Sequence, residues 1–166
     1  MIVKLRSYDE RLLAAVVVRR QDWLDWSMVG ITYLGGAWFT IAFAFLMASG
    51  LVPGTRAAGI HAVQTLAVSH IIAQLLKRTV TRQRPQLPIG FAFLAEPPDR
   101  FSFPSGHATA ALAIALPIAG LLPLIAAIAL LGTALLVGVS RCYLGVHYPG
   151  DVVVGWLVAW ATFMVL

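Results

Sequence analysis

Charge is scarce in this chain. Only 11% of its 166 residues are Asp, Glu, Lys or Arg, and 60% are hydrophobic. A soluble domain carries about 25% charged and about 45–50% apolar residues. A surface wetted on all sides cannot be built from this composition, so the chain is expected to lie in a membrane. Acids are rarest of all, and Asp151 is the only one after Asp99. No cluster of carboxylates is available to hold a hard cation, and no metal or other cofactor is expected. Cys142 is the only cysteine, which excludes an internal disulfide and a cysteine metal cluster. A secretory signal is not expected either, because Asp9, Glu10, Arg11, Arg19 and Arg20 interrupt the first residues. Internal repeats and low-complexity tracts are lacking. The net charge of +5 and the pI near 10.0 do not indicate nucleic acid. No basic face is interleaved with aromatics, and five of the twelve cations sit between Lys77 and Arg100.

What is present is a series of apolar runs. The length suits one domain over residues 1–166. Residues 1–26 are mixed. Leu12 to Val18 is too short to cross, Lys4, Arg6, Arg11, Arg19 and Arg20 flank it, and Trp23 and Trp26 follow. This pattern predicts an amphipathic helix lying in the interface with its tryptophans at headgroup level. Met28 to Ser49 is uncharged and long enough to span. Val52 to Thr55 makes a turn. Ala57 to Leu76, Ser105 to Gly120, Leu121 to Val139 and the shorter Val152 to Leu166 follow. The expected fold is all-α, a polytopic transmembrane bundle of about five membrane helices with an N-terminal interfacial helix. Lys77 to Pro104 and Ser140 to Asp151 read as linkers. Irregular backbone is not tolerated in lipid, so both are expected at the surface or over a polar cavity. Nearly all the remaining charge falls in them, which places a functional site at that level.

Three clusters there carry chemistry. The first is Lys77, Arg78, Arg82, Arg84 and Pro85. Arginine forks bind phosphate oxygens bidentately and lysine adds a compact charge, although such a cluster also anchors a membrane edge. The second is Phe103-Pro104-Ser105-Gly106-His107 before an apolar helix. Ser105 suits the N-cap, the first turn offers free N–H groups to an anion, and Gly106 lets a phosphate approach the backbone. His107 can donate a proton to a leaving oxygen. A plain helix cap would look the same. The third is Ser140-Arg141, then His147 and Asp151. A carboxylate beside a histidine holds one tautomer and frees the other nitrogen to attack. A capping aspartate next to an interfacial histidine is the plainer alternative. Elsewhere, His61 and His70 are expected to hydrogen-bond between helices. Tyr143 and Tyr148 are expected as interface anchors, Arg78 and Arg82 near headgroups or an anionic substrate, and Trp156 and Trp160 as packing or belt residues.

Together the clusters read Lys-x6-Arg-Pro, Pro-Ser-Gly-His and Ser-Arg-x5-His-x3-Asp, matched by Lys77, Arg84, Pro85, Pro104, Ser105, Gly106, His107, Ser140, Arg141, His147 and Asp151. Over residues 77–151 this resembles the type 2 phosphatidic acid phosphatase family, whose active-site architecture is shared with vanadium-dependent haloperoxidases. The acidic N-terminal segment around Asp9 and Asp25 is similar to that of short bacterial members. The resemblance implies that His147 is the nucleophile and forms a phosphohistidine. It implies that Asp151 orients His147, and that His107 protonates the leaving group and then activates water. Lys77, Arg84 and Arg141 would hold the phosphoryl oxygens with Ser105 and the Gly106 backbone. Positioning and fixed charge are what phosphoryl transfer chiefly needs.

The expected partner is a lipid phosphate, with membrane lipids around it. Undecaprenyl diphosphate, phosphatidylglycerol phosphate and phosphatidate are the candidates that the resemblance implies. It also places the site on the outer face of the cytoplasmic membrane, whereas the Lys/Arg count of the N-terminal segment points inward. A lipid-phosphate binder or transporter would need the cations but not both histidines with Asp151. A haloperoxidase would need vanadate, and those enzymes are soluble. Oligomeric state is open. Phosphate release should persist in EDTA, and loss of activity restored by magnesium would contradict this reading.

Overall fold

The computed structural model describes residues 2–97 and 99–166, with side chains from Tyr8 onward, so Lys4 and Arg6 fall outside the described side chains. Among the described residues there are seven α-helices and no named strand: α1 (Ile2–Val17), α2 (Asp22–Thr32), α3 (Ala37–Ser49), α4 (Arg56–Val80), α5 (Gly106–Ala119), α6 (Leu124–Tyr143) and α7 (Pro149–Val165). α4 and α6 are each long and apolar enough to cross a membrane, and α2 with α3 forms a third candidate as a bent pair. α5 and α7 are apolar but shorter. At 1.5 Å per residue, α5 is about 21 Å long, less than a hydrocarbon core of about 30 Å.

α5 is the centre. It packs against α4, α6 and α7, and Ala108 to Ala115 are all buried. Half of its ten buried residues are alanines, which let neighbouring backbones come close without a hydrophobic force between helices in lipid. A helix apolar on every side is one that neighbours surround. Two glycines allow the closest approaches. A Cβ on Gly35 would stand 2.5 Å from Val137 Cγ1 and 2.8 Å from the His107 carbonyl oxygen. A Cβ on Gly155 would stand 2.7 Å from the Ser105 carbonyl oxygen.

The run from Met28 to Ser49 is therefore not one straight helix. It breaks at a 3-10 turn over Tyr33–Gly35, and the two halves are bent by 50°. The break lets the chain pass Gly35 against the start of α5. The linkers are also shorter than the sequence suggests. α4 runs on to Val80, and α6 carries Ser140 and Arg141 in its last turns. Only residues 144–148 separate α6 from α7. Leu13 and Val17 of α1 are buried against Cys142, Tyr148 and Val152, so this helix packs on the end of the bundle that carries the site. Trp23 and Trp26 are exposed, as headgroup-level residues would be.

Other expectations change here. Tyr143 and Tyr148 are buried rather than interfacial, and the Tyr143 hydroxyl donates to Asp25 at 2.6 Å. His61 stacks on Phe163, with ring centroids 5.1 Å apart, instead of hydrogen-bonding to another helix. His70 opens onto a cavity and lies 3.3 Å from Gln74 of its own helix.

Gly155→Ala should lower the thermal midpoint in detergent, by about 1–3 kcal/mol of overpacking, despite alanine's better helix propensity. Gly132 meets nothing within 4 Å of a Cβ, so Gly132→Ala should leave the midpoint equal or higher. Equal responses from the two variants would contradict the close α5–α7 contact.

Candidate active site

The three sequence clusters meet at one end of the bundle. Lys77 reaches this level from the last turn of α4, Arg84 from the loop after it, Ser105 to His107 from the start of α5, Arg141 from the last turn of α6, and Asp151 from the first turn of α7. His147 lies in the tight connection between α6 and α7. Its backbone N–H and that of Val146 both donate to the Arg141 carbonyl, at 3.3 and 3.1 Å. The Ser105 N–H donates to the Asp151 carbonyl at 2.9 Å, joining the second cluster to the third.

His147 is 1% exposed and Asp151 is wholly buried. Arg84 Nη1 lies 3.0 Å from His147 Nε2 and 2.7 Å from the Val146 carbonyl oxygen. A guanidinium only donates, so Nε2 must be the accepting nitrogen and the ring proton belongs on Nδ1. Nδ1 faces Asp151 Oδ2 at 3.6 Å, an electrostatic contact slightly longer than a hydrogen bond. Burial pushes His147 down to about 4. Asp151 opposes this, and the Arg84 and Arg141 charges add to it. The result is a neutral imidazole whose Nε2 lone pair points at a cation, the state a nucleophile needs.

Asp151 spends both oxygens. Oδ2 also accepts the Tyr148 N–H at 2.9 Å, capping α7, and Oδ1 accepts Arg82 at 2.8 Å. Lys77 is buried and ion-paired with Asp99 Oδ2, while Arg84 Nη2 donates to Asp99 Oδ1 at 2.7 Å. Burial raises the Asp99 carboxyl, but hydrogen bonds and charge from Lys77 and Arg84 outweigh it and hold the group below the usual range. An anion entering between Lys77 and Arg84 meets that carboxylate first.

Arg141 is 2% exposed, and its Nη1 donates to the Thr32 hydroxyl at 2.8 Å. Its Nε and Nη2 are buried with no protein partner, as is the Ser105 hydroxyl. Ser105 does stand at the N-cap of α5, but its side chain makes no capping bond. Buried donors are normally satisfied, so these three mark where an oxyanion is expected to sit. Gly106, His107, Lys77, Asp99 and His147 all line one cavity, and a Cβ on Gly106 would meet nothing within 4 Å. His107 stands within electrostatic range of Arg141, His147, Lys77 and Arg84.

The structure thus brings together all eight residues expected from the sequence. It adds four that sequence reading did not assign to the site: Asp9, Thr32, Arg82 and Asp99. Arg82 is no headgroup contact, since its guanidinium lies between two carboxylates. Asp9 and Thr32 come from helices far away in the sequence, and nothing local in the chain announces their partners.

Comparison with known proteins agrees with this geometry. The PAP2 superfamily model matches residues 58–166. The chain belongs to the PAP2 superfamily. Phosphatidylglycerophosphatase B of Bacillus subtilis is 32% identical over 166 residues, which covers 91% of this chain and 77% of that one. Decaprenylphosphoryl-5-phosphoribose phosphatase of Mycobacterium tuberculosis is 37% identical over 129 residues, covering 76% and 69%. The crystal structure of a transmembrane PAP2 type phosphatidylglycerolphosphate phosphatase from Bacillus subtilis superposes with a TM-score of 0.80 at 31% identity, over 98% of this chain and 84% of that one. This PAP2 chain is an integral membrane protein and an enzyme that hydrolyses lipid phosphates.

A titration of the nitrogen-15-labelled imidazoles should find, among the rings still neutral at about pH 5.5, one protonated on Nδ1 that is absent in His147→Ala. A His147 that titrates at its ordinary value of about 6.5 would contradict the electrostatics described above.

Proposed function

We propose that this chain removes a terminal phosphate from a membrane lipid through a phosphohistidine on His147, without a metal. The observation that carries the reading is the neutral His147 beside buried, unpartnered donors of Arg141 and Ser105. Phosphate oxygens would occupy the space between Lys77, Arg84, Arg141, the Ser105 hydroxyl and the Gly106 backbone, displacing Asp99 from the cations. Moving Arg84 onto phosphate also uncovers the Nε2 lone pair. The negative charge of the bound phosphate lets His107 take up a proton. Nε2 then attacks phosphorus, the P–O bond to the lipid breaks, and His107 gives that proton to the leaving oxygen and becomes neutral. Asp151 stabilises the positive charge that develops on the His147 ring. Water activated by His107 attacks the phosphohistidine, the N–P bond breaks, and inorganic phosphate is released. Three fixed cations spread the equatorial charge, a role magnesium ions fill in other phosphoryl-transfer sites.

The lipid tail fits the cavity that leads away from these groups. It holds about 580 Å³ and runs between α3, α4 and α5, past Thr40, Ile41, Phe45, Leu66 and His70. Its walls are mostly apolar side chains, and several face outward, as a groove open to lipid requires. A substrate could slide in laterally without leaving the bilayer. Phosphatidylglycerol phosphate, phosphatidate and undecaprenyl diphosphate all satisfy this chemistry.

The site is further assigned to the outer face of the cytoplasmic membrane, on the resemblance to small members of the family. The Asp9–Arg82 ion pair puts α1 and the catalytic groups at the same end. Positive charge at that end therefore includes catalytic cations, and charge counting does not decide the orientation.

The test is phosphate release from a panel of lipid phosphates in EDTA, by the purified chain and by His147→Ala. Release that falls in the variant by at least about 10³-fold is the expected outcome, since losing the central member of such a constellation costs that much or more. A folded protein that binds phosphate and releases none from any lipid would favour a binder or transporter.

A further inference from the structure

Arg82 lies outside the three motifs, yet it is the only described residue joined by ion pairs to both Asp151 and another helix's carboxylate. Its Nη1 donates to Asp151 Oδ1 at 2.8 Å, and its Nη2 donates to Asp9 Oδ2 at 2.8 Å. The guanidinium stacks over the Tyr148 ring, 4.0 Å from its centroid. Asp9 Oδ1 in turn accepts the Gly150 N–H at 2.9 Å, one residue before Asp151. The Arg82 backbone is fixed too, because its carbonyl accepts the Ser102 N–H at 2.8 Å, just ahead of the Pro104-Ser105 turn. The side chain is about four-fifths buried, and Asp9 is similarly sheltered. Removing one partner of so sheltered a pair would leave the other charge uncompensated, so each holds the other in place. Both Nη atoms of Arg82 are taken by carboxylates, so it is placed to act on Asp151 rather than on substrate.

We propose that Arg82 is a positioning residue that, anchored by Asp9 of α1, grips the outer oxygen of Asp151 and so sets the orientation and pull of Asp151 on His147. This rests on the reading of His147 as the nucleophile. The physical consequence follows from how Asp151's charge is shared. With Arg82 holding Oδ1, less of the negative charge is available to stabilise a protonated His147 ring in the resting enzyme. The other groups facing the couple are Arg84 of the loop, Arg141 and Cys142 of α6, His107 of α5 and Asp9 of α1. Of the cations among these, Arg84 and Arg141 lie on the histidine side of the couple, and neither replaces the bond to Oδ1. Without Arg82, Oδ1 is no longer fixed, so the carboxylate loses its set angle to Nδ1 while the Tyr148 N–H still keeps Oδ2 beside the ring. Helix α1 thereby becomes part of the catalytic apparatus rather than a membrane anchor alone.

The test compares Arg82→Gln, Arg82→Lys and Asp9→Asn with the full chain in detergent. Lipid phosphate turnover, inhibition by inorganic phosphate, the His147 imidazole titration and thermal unfolding are measured for each. For Arg82→Gln the inference expects kcat to fall on the order of 10- to 100-fold, the scale on which groups that orient a reactive ligand act. KM and the inhibition constant for phosphate should stay within about twofold of the parent, because no phosphate contact has been removed. His147 should take up its proton at higher pH than in the parent, Arg82→Lys should recover part of kcat, and Asp9→Asn should show a smaller loss of the same kind. A rise in KM and in the phosphate inhibition constant at unchanged kcat would overturn the inference and make Arg82 a substrate contact. A loss of activity with an unmoved His147 titration would overturn it in favour of a structural role. If Arg82→Gln does not fold, Asp9→Asn carries the same decision through the same readouts. His147→Ala separates the two levels. Full activity in that variant removes the nucleophile reading itself, whereas an inactive His147→Ala beside an unaffected Arg82→Gln removes only the positioning role.

Discussion

The structure depends on keeping one imidazole neutral among fixed positive charges. His147 is shielded from water and faces Arg84 directly, with Arg141 close by. In a low-dielectric setting such charges act strongly, and a protonated ring there would be repelled from every side but one. Asp151 supplies that side. The balance leaves an accepting Nε2 aimed at the cations that are suited to holding a phosphate. On the proposed reading, nucleophile and electrophile would be prepared by the same charges.

The fold exists to bring helix ends to this point. α4, α5, α6 and α7 each contribute a residue from a terminal turn, so the charged groups sit where helices end while the apolar stems run on into the bundle. α5, lined with alanines, lets the surrounding helices close in, and glycines at 35 and 155 remove the last obstacles to its N-terminus. The bend between α2 and α3 belongs to the same arrangement. It carries Gly35 past the His107 backbone, and Thr32, on the preceding turn, holds Arg141 in place. Membrane burial, helix packing and catalysis here pull in the same direction. The groove between α3, α4 and α5 ends at Lys77, His107 and His147.

Much of this was legible in the sequence, for identifiable reasons. The low charge content announced a membrane protein, and the few remaining charges marked the level of the site. Lys77, Arg84, Ser105, Gly106, His107, Arg141, His147 and Asp151 stood in clusters that each had a plainer reading alone, and only the three together resembled a known family's motifs. What was hidden depends on distance. Arg82 meets a carboxylate 73 positions away and Arg141 a hydroxyl 109 positions away, and no periodicity encodes such pairs. Asp99 lay in a linker whose course only the fold defines. The bend at Gly35 was missed because an uncharged run reads as one span, while the contact that breaks it lies on α5. Tyr143 and Tyr148 were misread because an aromatic at a helix end suits an interface and a buried hydroxyl partner equally well.

The most direct measurement is a rapid acid-free quench of the enzyme during turnover of a phosphorus-labelled lipid, followed by mass spectrometry of the peptide that carries residues 142–151. The account predicts a phosphate on His147 that is stable in alkali, labile in acid, and formed no slower than turnover. Label on another residue, or full turnover with no phosphoenzyme at any time point, would contradict it.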